Sequence, residues 1–138
     1  DKLTLAALAA TLRDWTTGAW RQFPIYRAAA TPLGELEERG ARILAPVTAS
    51  LAGATASVVA SQATFGGGTS PEKLFESRAI ALAPGELSVE SVAERLRAGS
   101  PPIVGRVEGD RVLLDLRSIL PGEDAIVAGA LRALGELP

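Results

Sequence analysis

The chain has 138 residues, contains neither cysteine nor histidine, and carries a formal net charge of −2 at pH 7. This composition excludes disulfides, thiol and imidazole catalysis and the usual zinc ligands, so no metal site is predicted. The small net charge produces no strong electrostatic field that would attract nucleic acid. No apolar run approaches the roughly 20 residues that cross a bilayer, and the lack of cysteine fits a reducing compartment.

Residues 1–30 are predicted to form a helix and a connector. The apolar residues of the helix recur at spacings of three and four: Leu5, Leu8, Leu12 and Trp15. The segment 20–26 then crowds bulky side chains together and is interpreted as an irregular connector. Because the chain opens on Asp1 inside a helical pattern, we expect a domain cut from a longer protein, which the first 30 residues join to its missing part.

Residues 31–138 are expected to form a small α+β domain. Thr31 and Pro32 predict a helix start, with the threonine as cap and the proline in the first turn. The apolar face of this helix continues to Leu51, and Pro46 should kink or split it. Residues 56–60 and 78–83 are predicted to be strands.

A glycine triplet, Gly66, Gly67 and Gly68, lies in the predicted loop between these strands. It permits close approach of a ligand or another chain, so the loop is a candidate border of a pocket. The spacing does not match a dinucleotide-binding or P-loop fingerprint. On its own, a glycine triplet is more often a flexible turn than a site.

A hairpin is predicted within residues 101–120, after a helix capped by Ser88 and before a helix that begins at Pro121. Gly109 at the first central position of a two-residue turn indicates a type II′ hairpin. This turn fixes the register, which pairs Glu108 with Arg111, Val107 with Val112, and Arg106 with Leu113.

The order of elements predicts a two-layer α+β sandwich: a mostly antiparallel four-stranded sheet with helices on one face, preceded by the N-terminal helix. Alternation of side chains puts Arg106 and Arg111 on the uncovered face, and Arg117 as well if the strand runs on to it. Two interpretations stay open for these three arginines. They form cross-strand ion pairs with Glu108 and Asp115 on a solvated face, or they bind an anionic partner.

Four stretches carry a resemblance to a known family: residues 1–8, 23–27, 61–71 and 101–124. Together they resemble the C-terminal region of bacterial selenocysteine synthase, L-seryl-tRNA(Sec) selenium transferase. The hairpin, with Gly-Arg, then Arg, then Leu-Asp-Leu-Arg, is the most specific part. The sequence departs from the family pattern in the hairpin turn, which reads Gly-Asp rather than Asp-Gly, and at residues 69–71.

The resemblance implies a pyridoxal-phosphate enzyme of the aminotransferase-like fold that converts seryl-tRNA(Sec) to selenocysteinyl-tRNA(Sec) with selenophosphate in the cytoplasm. The cofactor lysine of that family lies in the large domain, and neither Lys2 nor Lys73 matches it. The fragment is therefore expected to hold no catalytic residue and no cofactor, and to be inactive alone. The implied partners are the large domain of the same chain, seryl-tRNA(Sec) and further copies in a homo-oligomer, with no membrane.

The resemblance also implies a role for Arg111, which by order along the chain matches the carboxylate-binding arginine of aminotransferase-like folds. Seryl-tRNA has its carboxylate esterified, so an arginine fork would instead take phosphate from selenophosphate or the tRNA end. Two alternative functions remain open. One is a related lyase or transferase acting on a small amino or sugar acid, and the other is a non-enzymatic assembly domain.

Overall fold

The structure is a computed structural model that describes residues 1–47, 51, 53–64 and 74–135. The predicted glycine loop, with Gly66, Gly67 and Gly68, lies outside the described residues. The chain divides into two units, residues 1–31 and residues 32–138. No helix in the described ranges has both the length and the apolar character needed to cross a membrane.

The first unit consists of three helical elements, with α1 at Lys2–Thr16, a 3-10 turn at Ala19–Gln22 and α2 at Pro24–Ala30. The interpretation of residues 20–26 as an irregular connector was therefore wrong. Pro24 occupies the first turn of α2, where its missing N–H costs nothing. Phe23 keeps a non-helical backbone, with φ −60° and ψ 136°, as expected before a proline.

Aromatic rings hold the first unit together. Trp15 stacks on Trp20 with ring centroids 5.2 Å apart, and Tyr26 meets both rings edge-on at 5.6 and 5.1 Å. The Arg21 guanidinium lies 4.6 Å from the centroid of the Trp20 ring. Helix α1 nevertheless has no buried residue, and the side chains of its apolar stripe are 45–65% exposed: Leu5, Leu8, Leu12 and Trp15.

The second unit confirms the predicted α+β order. Its elements are α3 Leu33–Leu44, β1 Thr55–Thr64, β2 Leu74–Ala83, α4 Val89–Ala98, β3 Arg106–Glu108, β4 Arg111–Asp115 and α5 Asp124–Gly135. The four strands form one sheet in the order β1-β2-β4-β3, and every neighbouring pair is antiparallel.

The hairpin register is confirmed: Glu108 pairs with Arg111, Val107 with Val112 and Arg106 with Leu113. Gly109 has a φ of 57°, the positive value that the first central position of a type II′ turn requires. The other two strands are longer than the predicted ones. The ten residues of β1 and the ten of β2 pair along their whole length.

Helix termini agree with the predictions only in part. The Ser88 hydroxyl caps α4 by accepting the N–H of Ser91, as predicted. The predicted cap of α3 was wrong, because Pro32 occupies the N-cap position and no side chain caps the helix. The Thr31 hydroxyl instead donates to the carbonyl of Arg27 at the end of the preceding helix. Helix α3 ends at Leu44, just before Pro46, because a proline in the next turn could not continue it.

The start of α5 also differs from the prediction, since the helix begins at Asp124 rather than at Pro121. The Glu123 carboxylate accepts the backbone N–H of Leu120 at 2.7 Å. This contact closes a turn immediately before the helix.

The core of the second unit lies between the sheet and helices α3, α4 and α5. Its sheet side consists of fully or almost fully buried residues: Ile80, Leu82, Val112, Leu114 and Leu116. Helix α3 approaches the sheet closely at Gly40. A Cβ atom there would lie 2.7 Å from Val58 Cγ2 and 2.9 Å from Leu116 Cδ1. The opposite face holds a smaller cluster without helix residues: Val59, Ala79, Ala81 and Leu113.

Candidate functional site

The face of the sheet turned away from α3, α4 and α5 is called the bare face here. The pairing of Ala79 with Asp115, and of Ala81 with Leu113, places Asp115 on this face beside the small apolar cluster. Residues that lie opposite each other on neighbouring strands point to the same face of the sheet. Arg106 therefore lies on the bare face with Leu113, and Arg111 lies there with Glu108. Two of the three predicted arginines therefore share the bare face, as the hairpin register required.

Asp115 is the centre of a hydrogen-bond network on the bare face. Its carboxylate accepts the Ser77 hydroxyl at 2.8 Å and the Ser61 hydroxyl at 3.2 Å. It also accepts the backbone N–H of Arg117 at 3.0 Å. These contacts join β1, β2 and the end of β4, so Asp115 stabilises the sheet and is not paired with an arginine side chain in the way one interpretation expected.

Arg106 reaches across the bare face from one edge strand to the other. Its Nη2 donates to Glu108 Oε2 at 3.0 Å and to Ser61 Oγ at 3.3 Å. Its Nη1 donates to the carbonyl of Gln62 at 3.4 Å. The ion pair with Glu108 agrees with the interpretation of a solvated face. The side chain remains 49% exposed.

Arg117 lies beyond the end of β4, in the turn that follows the strand. Its Nε and Nη2 both donate to the backbone carbonyl of Glu76, at 3.0 and 2.7 Å. The guanidinium therefore binds the far part of β2, which extends past the four residues that pair with β4. This geometry favours a structural role for Arg117.

Arg111 differs from the other two candidates. It is exposed at the start of β4, and within the described residues no hydrogen bond or ion pair involves its side chain. The neighbouring Glu108 pairs with Arg106 instead. Among the described residues, Arg111 is thus the candidate arginine whose side chain has no hydrogen-bond or ion-pair partner.

An open groove of about 600 Å³ runs beside Arg106. Its charged lining is balanced, because Glu76 and Glu108 face it together with Arg78 and Arg106. Arg78 also pairs with Glu37 of α3. A groove with carboxylates and guanidiniums in equal number does not select an anion, so the groove by itself is not the predicted anionic contact surface.

One polar cluster escaped the sequence analysis. Arg39 of α3 donates to Asp124 Oδ1 at 2.8 Å and to the carbonyls of Ile119 and Leu120, each at 2.8 Å. It fixes the segment that follows β4 and carries Arg117. The sequence did carry a signal for this cluster. Arg39 lies three residues after buried Leu36, so it falls on the helix stripe that should be apolar.

Comparison with known proteins agrees with the resemblance carried by the hairpin. The family model for L-seryl-tRNA selenium transferase (SelA) matches residues 1–120. The chain belongs to the L-seryl-tRNA selenium transferase family. The match includes β3, β4 and all three candidate arginines, but ends before α5.

Curated relatives of the family align with nearly the whole chain. A protein of Hyphomonas neptunium named L-seryl-tRNA(Sec) selenium transferase is 35% identical over 135 residues, which cover 96% of this chain and 29% of the relative. Proteins of the same name from Desulfomicrobium baculatum and Nitratidesulfovibrio vulgaris are 36% and 37% identical, over 97% and 98% of this chain. The chain spans about 30% of the length of these relatives.

Proposed function

We propose that the chain is the C-terminal domain of a pyridoxal-phosphate-dependent L-seryl-tRNA(Sec) selenium transferase. The complete protein would convert seryl-tRNA(Sec) to selenocysteinyl-tRNA(Sec) with selenophosphate in the cytoplasm. The family match over residues 1–120 carries this proposal. Because the chain spans about 30% of its relatives, the activity is proposed for a longer protein of which the chain forms a part.

The described residues do not fit a pyridoxal-phosphate site. The cofactor needs a lysine held in a pocket, whereas Lys2 is exposed in the first turn of α1. Lys73 lies outside the described residues, and the resemblance implies that the family lysine lies in the large domain instead. We therefore assign the cofactor and its chemistry to the remainder of the longer protein, and we expect the isolated chain to be inactive.

The contribution of the chain itself is proposed to be an anion contact at Arg111. Its guanidinium is exposed and has no partner within the described part of the chain. A guanidinium presents a planar fork of donors that matches phosphate oxygens. Since the substrate's carboxylate is esterified, the proposed ligand is a phosphate group of selenophosphate or of the tRNA end.

Arg106 and Arg117 are proposed to act as positioning residues for this surface. Arg106 ties β3 to the carbonyl of Gln62 in β1, and Arg117 ties the turn after β4 to Glu76 in β2. Both contacts fix the strand that carries Arg111 relative to the long β1–β2 hairpin. Their loss would displace Arg111 without removing its charge.

The second proposed contribution is a docking face on α1. Its apolar stripe, defined by Leu5, Leu8, Leu12 and Trp15, is 45–65% exposed. Large exposed apolar patches usually mark contact surfaces. We propose that the large domain of the same longer protein covers this stripe, because some 70% of the relatives' length lies outside the aligned region.

The test uses the full-length protein with Arg111→Ala, and with Arg97→Ala as the matched control. Arg97 is also exposed but lies on α4, away from the sheet. Arg111→Ala should raise the KM for selenophosphate or weaken binding of seryl-tRNA(Sec) by about tenfold, equivalent to about 1.4 kcal/mol. Arg97→Ala should change neither quantity.

Two failures of this test are distinguishable. If wild-type protein neither binds seryl-tRNA(Sec) in a filter-binding assay nor forms selenocysteinyl-tRNA(Sec), the proposed function is wrong. Turnover of a free amino acid or sugar acid would then favour the alternative lyase or transferase. If wild-type protein is active and Arg111→Ala matches it, only the role of Arg111 is wrong.

A further inference from the structure

Three charged side chains of the β3–β4 hairpin form a triangle on the bare face. Glu108 lies directly opposite Arg111, and Arg106 lies opposite Leu113, so Arg106 and Arg111 are diagonal neighbours. In an antiparallel pair, the Cβ atoms of opposite residues are about 5 Å apart, and diagonal neighbours lie about 7–8 Å apart. The Glu108 carboxylate is therefore within reach of both guanidinium groups.

Glu108 contacts only one of these two arginines. Its Oε2 accepts a hydrogen bond from Arg106 Nη2 at 3.0 Å, while no ion pair between Glu108 and Arg111 occurs among the described residues. The side chains of the Arg106–Glu108 pair are 49% and 59% exposed. An ion pair with this exposure contributes little to stability, so a ligand can displace it.

Glu108 offers Arg106 the same kind of acceptor that a phosphate group would offer. Arg106 and Arg111 carry like charges on one face, and the Glu108 carboxylate offsets one of the two charges. A guanidinium binds carboxylate and phosphate oxygens through the same planar set of donors. Glu108 and a phosphate group are thus alternative ligands for Arg106.

Arg106 can change this partner and still hold the edge strand in place. Its Nη1 donates to the carbonyl of Gln62 at 3.4 Å, and this contact does not involve Glu108. Its Nη2 donates both to Glu108 Oε2 at 3.0 Å and to Ser61 Oγ at 3.3 Å. Loss of the carboxylate would therefore release one donor of Arg106 and keep its contact with β1.

We propose that Glu108 is an internal competitor of the phosphate group at the anion contact. It occupies Arg106, leaves the ligand a single guanidinium at Arg111, and so keeps the contact weak and reversible. Glu108 is thereby the residue that sets the affinity for the anion. This inference rests on the proposed function, because it names a second determinant of the same contact.

Glu108→Gln in the full-length protein tests the proposal, because it removes the charge and preserves the volume of the side chain. A second charge-assisted contact, from Arg106, should tighten anion binding about tenfold. The KM for selenophosphate falls if selenophosphate is the ligand, and the dissociation constant in filter binding falls if the ligand is the end of seryl-tRNA(Sec). Loss of a merely structural ion pair would weaken binding instead. Far-UV circular dichroism checks that each variant is folded.

Three control variants separate the contribution of Arg106 from that of charge alone. Asp110→Asn removes an equal charge from the adjoining turn, where the Asp110 carboxylate has no hydrogen bond or ion pair within the described residues. It should tighten binding only about threefold, the effect of one unit charge at about 6 Å in water. Glu108→Gln in an Arg106→Ala background should give the same small gain. Glu94→Gln, at an exposed position of α4, should give none.

Three results would overturn the proposal. The first is a Glu108→Gln protein that binds no more tightly than wild type in either measurement, while Arg111→Ala binds more weakly. The proposed function would then stand without this role for Glu108. The second is an equal gain for Glu108→Gln and Asp110→Asn, which would show that Arg106 does not reach the ligand. The third is unchanged binding by Arg111→Ala, which would remove the anion contact itself. A wild-type protein that neither binds seryl-tRNA(Sec) nor is active would overturn the proposed function and this inference with it.

Discussion

The two units of this chain use similar amphipathic helices in different ways. In the second unit, the apolar stripe of α3 is buried in the core, with Leu36 at 1% exposure and Ile43 at 2%. In the first unit, α1 has the same three- and four-residue spacing but no buried residue. The spacing predicts that a helix has an apolar face, but it does not identify what covers that face.

The largest expected difference in the free energy of unfolding is between truncating a buried leucine and truncating an exposed one. Leu36→Ala should lower the free energy of unfolding by about 2–5 kcal/mol, because it opens a cavity in a packed core. Leu8→Ala in α1 should change it by no more than about 0.5 kcal/mol, because exposed positions lose little. Urea denaturation followed by circular dichroism measures both. Equal losses would mean that the chain itself covers α1.

A second comparison concerns two arginines of α3. Arg39 is 17% exposed and bonds to Asp124 and to backbone carbonyls. Arg39→Gln should lower the free energy of unfolding by about 1.5–3 kcal/mol, because the partly buried side chain loses charged hydrogen bonds. Arg42 is 68% exposed and pairs only loosely with Glu38 at 3.8 Å, so Arg42→Gln should cost under about 0.5 kcal/mol. Denaturation midpoints that shift equally would contradict this assignment.

A third comparison concerns two glycines of α3. A Cβ at Gly40 would collide with Val58 and Leu116, whereas a Cβ at Gly34 meets nothing within 4 Å. Gly40→Ala should destabilise by about 1–3 kcal/mol through overpacking, offset in part by helix propensity. Gly34→Ala should stabilise by about 0.5–1 kcal/mol. Thermal unfolding midpoints should move in opposite directions, and a rise in both would show that α3 packs less tightly on the sheet.

Features set by neighbouring residues were predictable from the sequence. The Gly109-Asp110 turn determined the hairpin register, because a two-residue loop leaves one pairing. The Ser88 cap was also predictable, because it depends only on neighbouring residues of the same helix. Thr31 shows the limit of such signals, since one hydroxyl can close the preceding helix or cap the next. Strand β1 extends to Thr64 because pairing with β2 overrides the polar, loop-like composition of its last residues.

Contacts between distant residues were not predictable from the sequence. The hydrogen bonds of Arg39 join residues 77 to 85 positions apart, and no local pattern names those partners. The sequence also treated the three candidate arginines alike. In the structure, Arg106 donates to the backbone carbonyl of Gln62, and Arg117 donates to the backbone carbonyl of Glu76. Backbone acceptors carry no residue-type signal, so this difference between the arginines emerged only from the structure.

The docking face proposed on α1 requires that the remainder of a longer selenium transferase covers the apolar stripe. Hydroxyl-radical footprinting of the 138-residue chain and of the full-length protein tests this claim most directly. The account predicts that oxidation of Leu5, Leu8, Leu12 and Trp15 falls severalfold in the full-length protein. The internal control is Trp20, which packs against Trp15 within the first unit and is already partly buried, so it should change less. Equal oxidation of the stripe in both proteins would contradict the account.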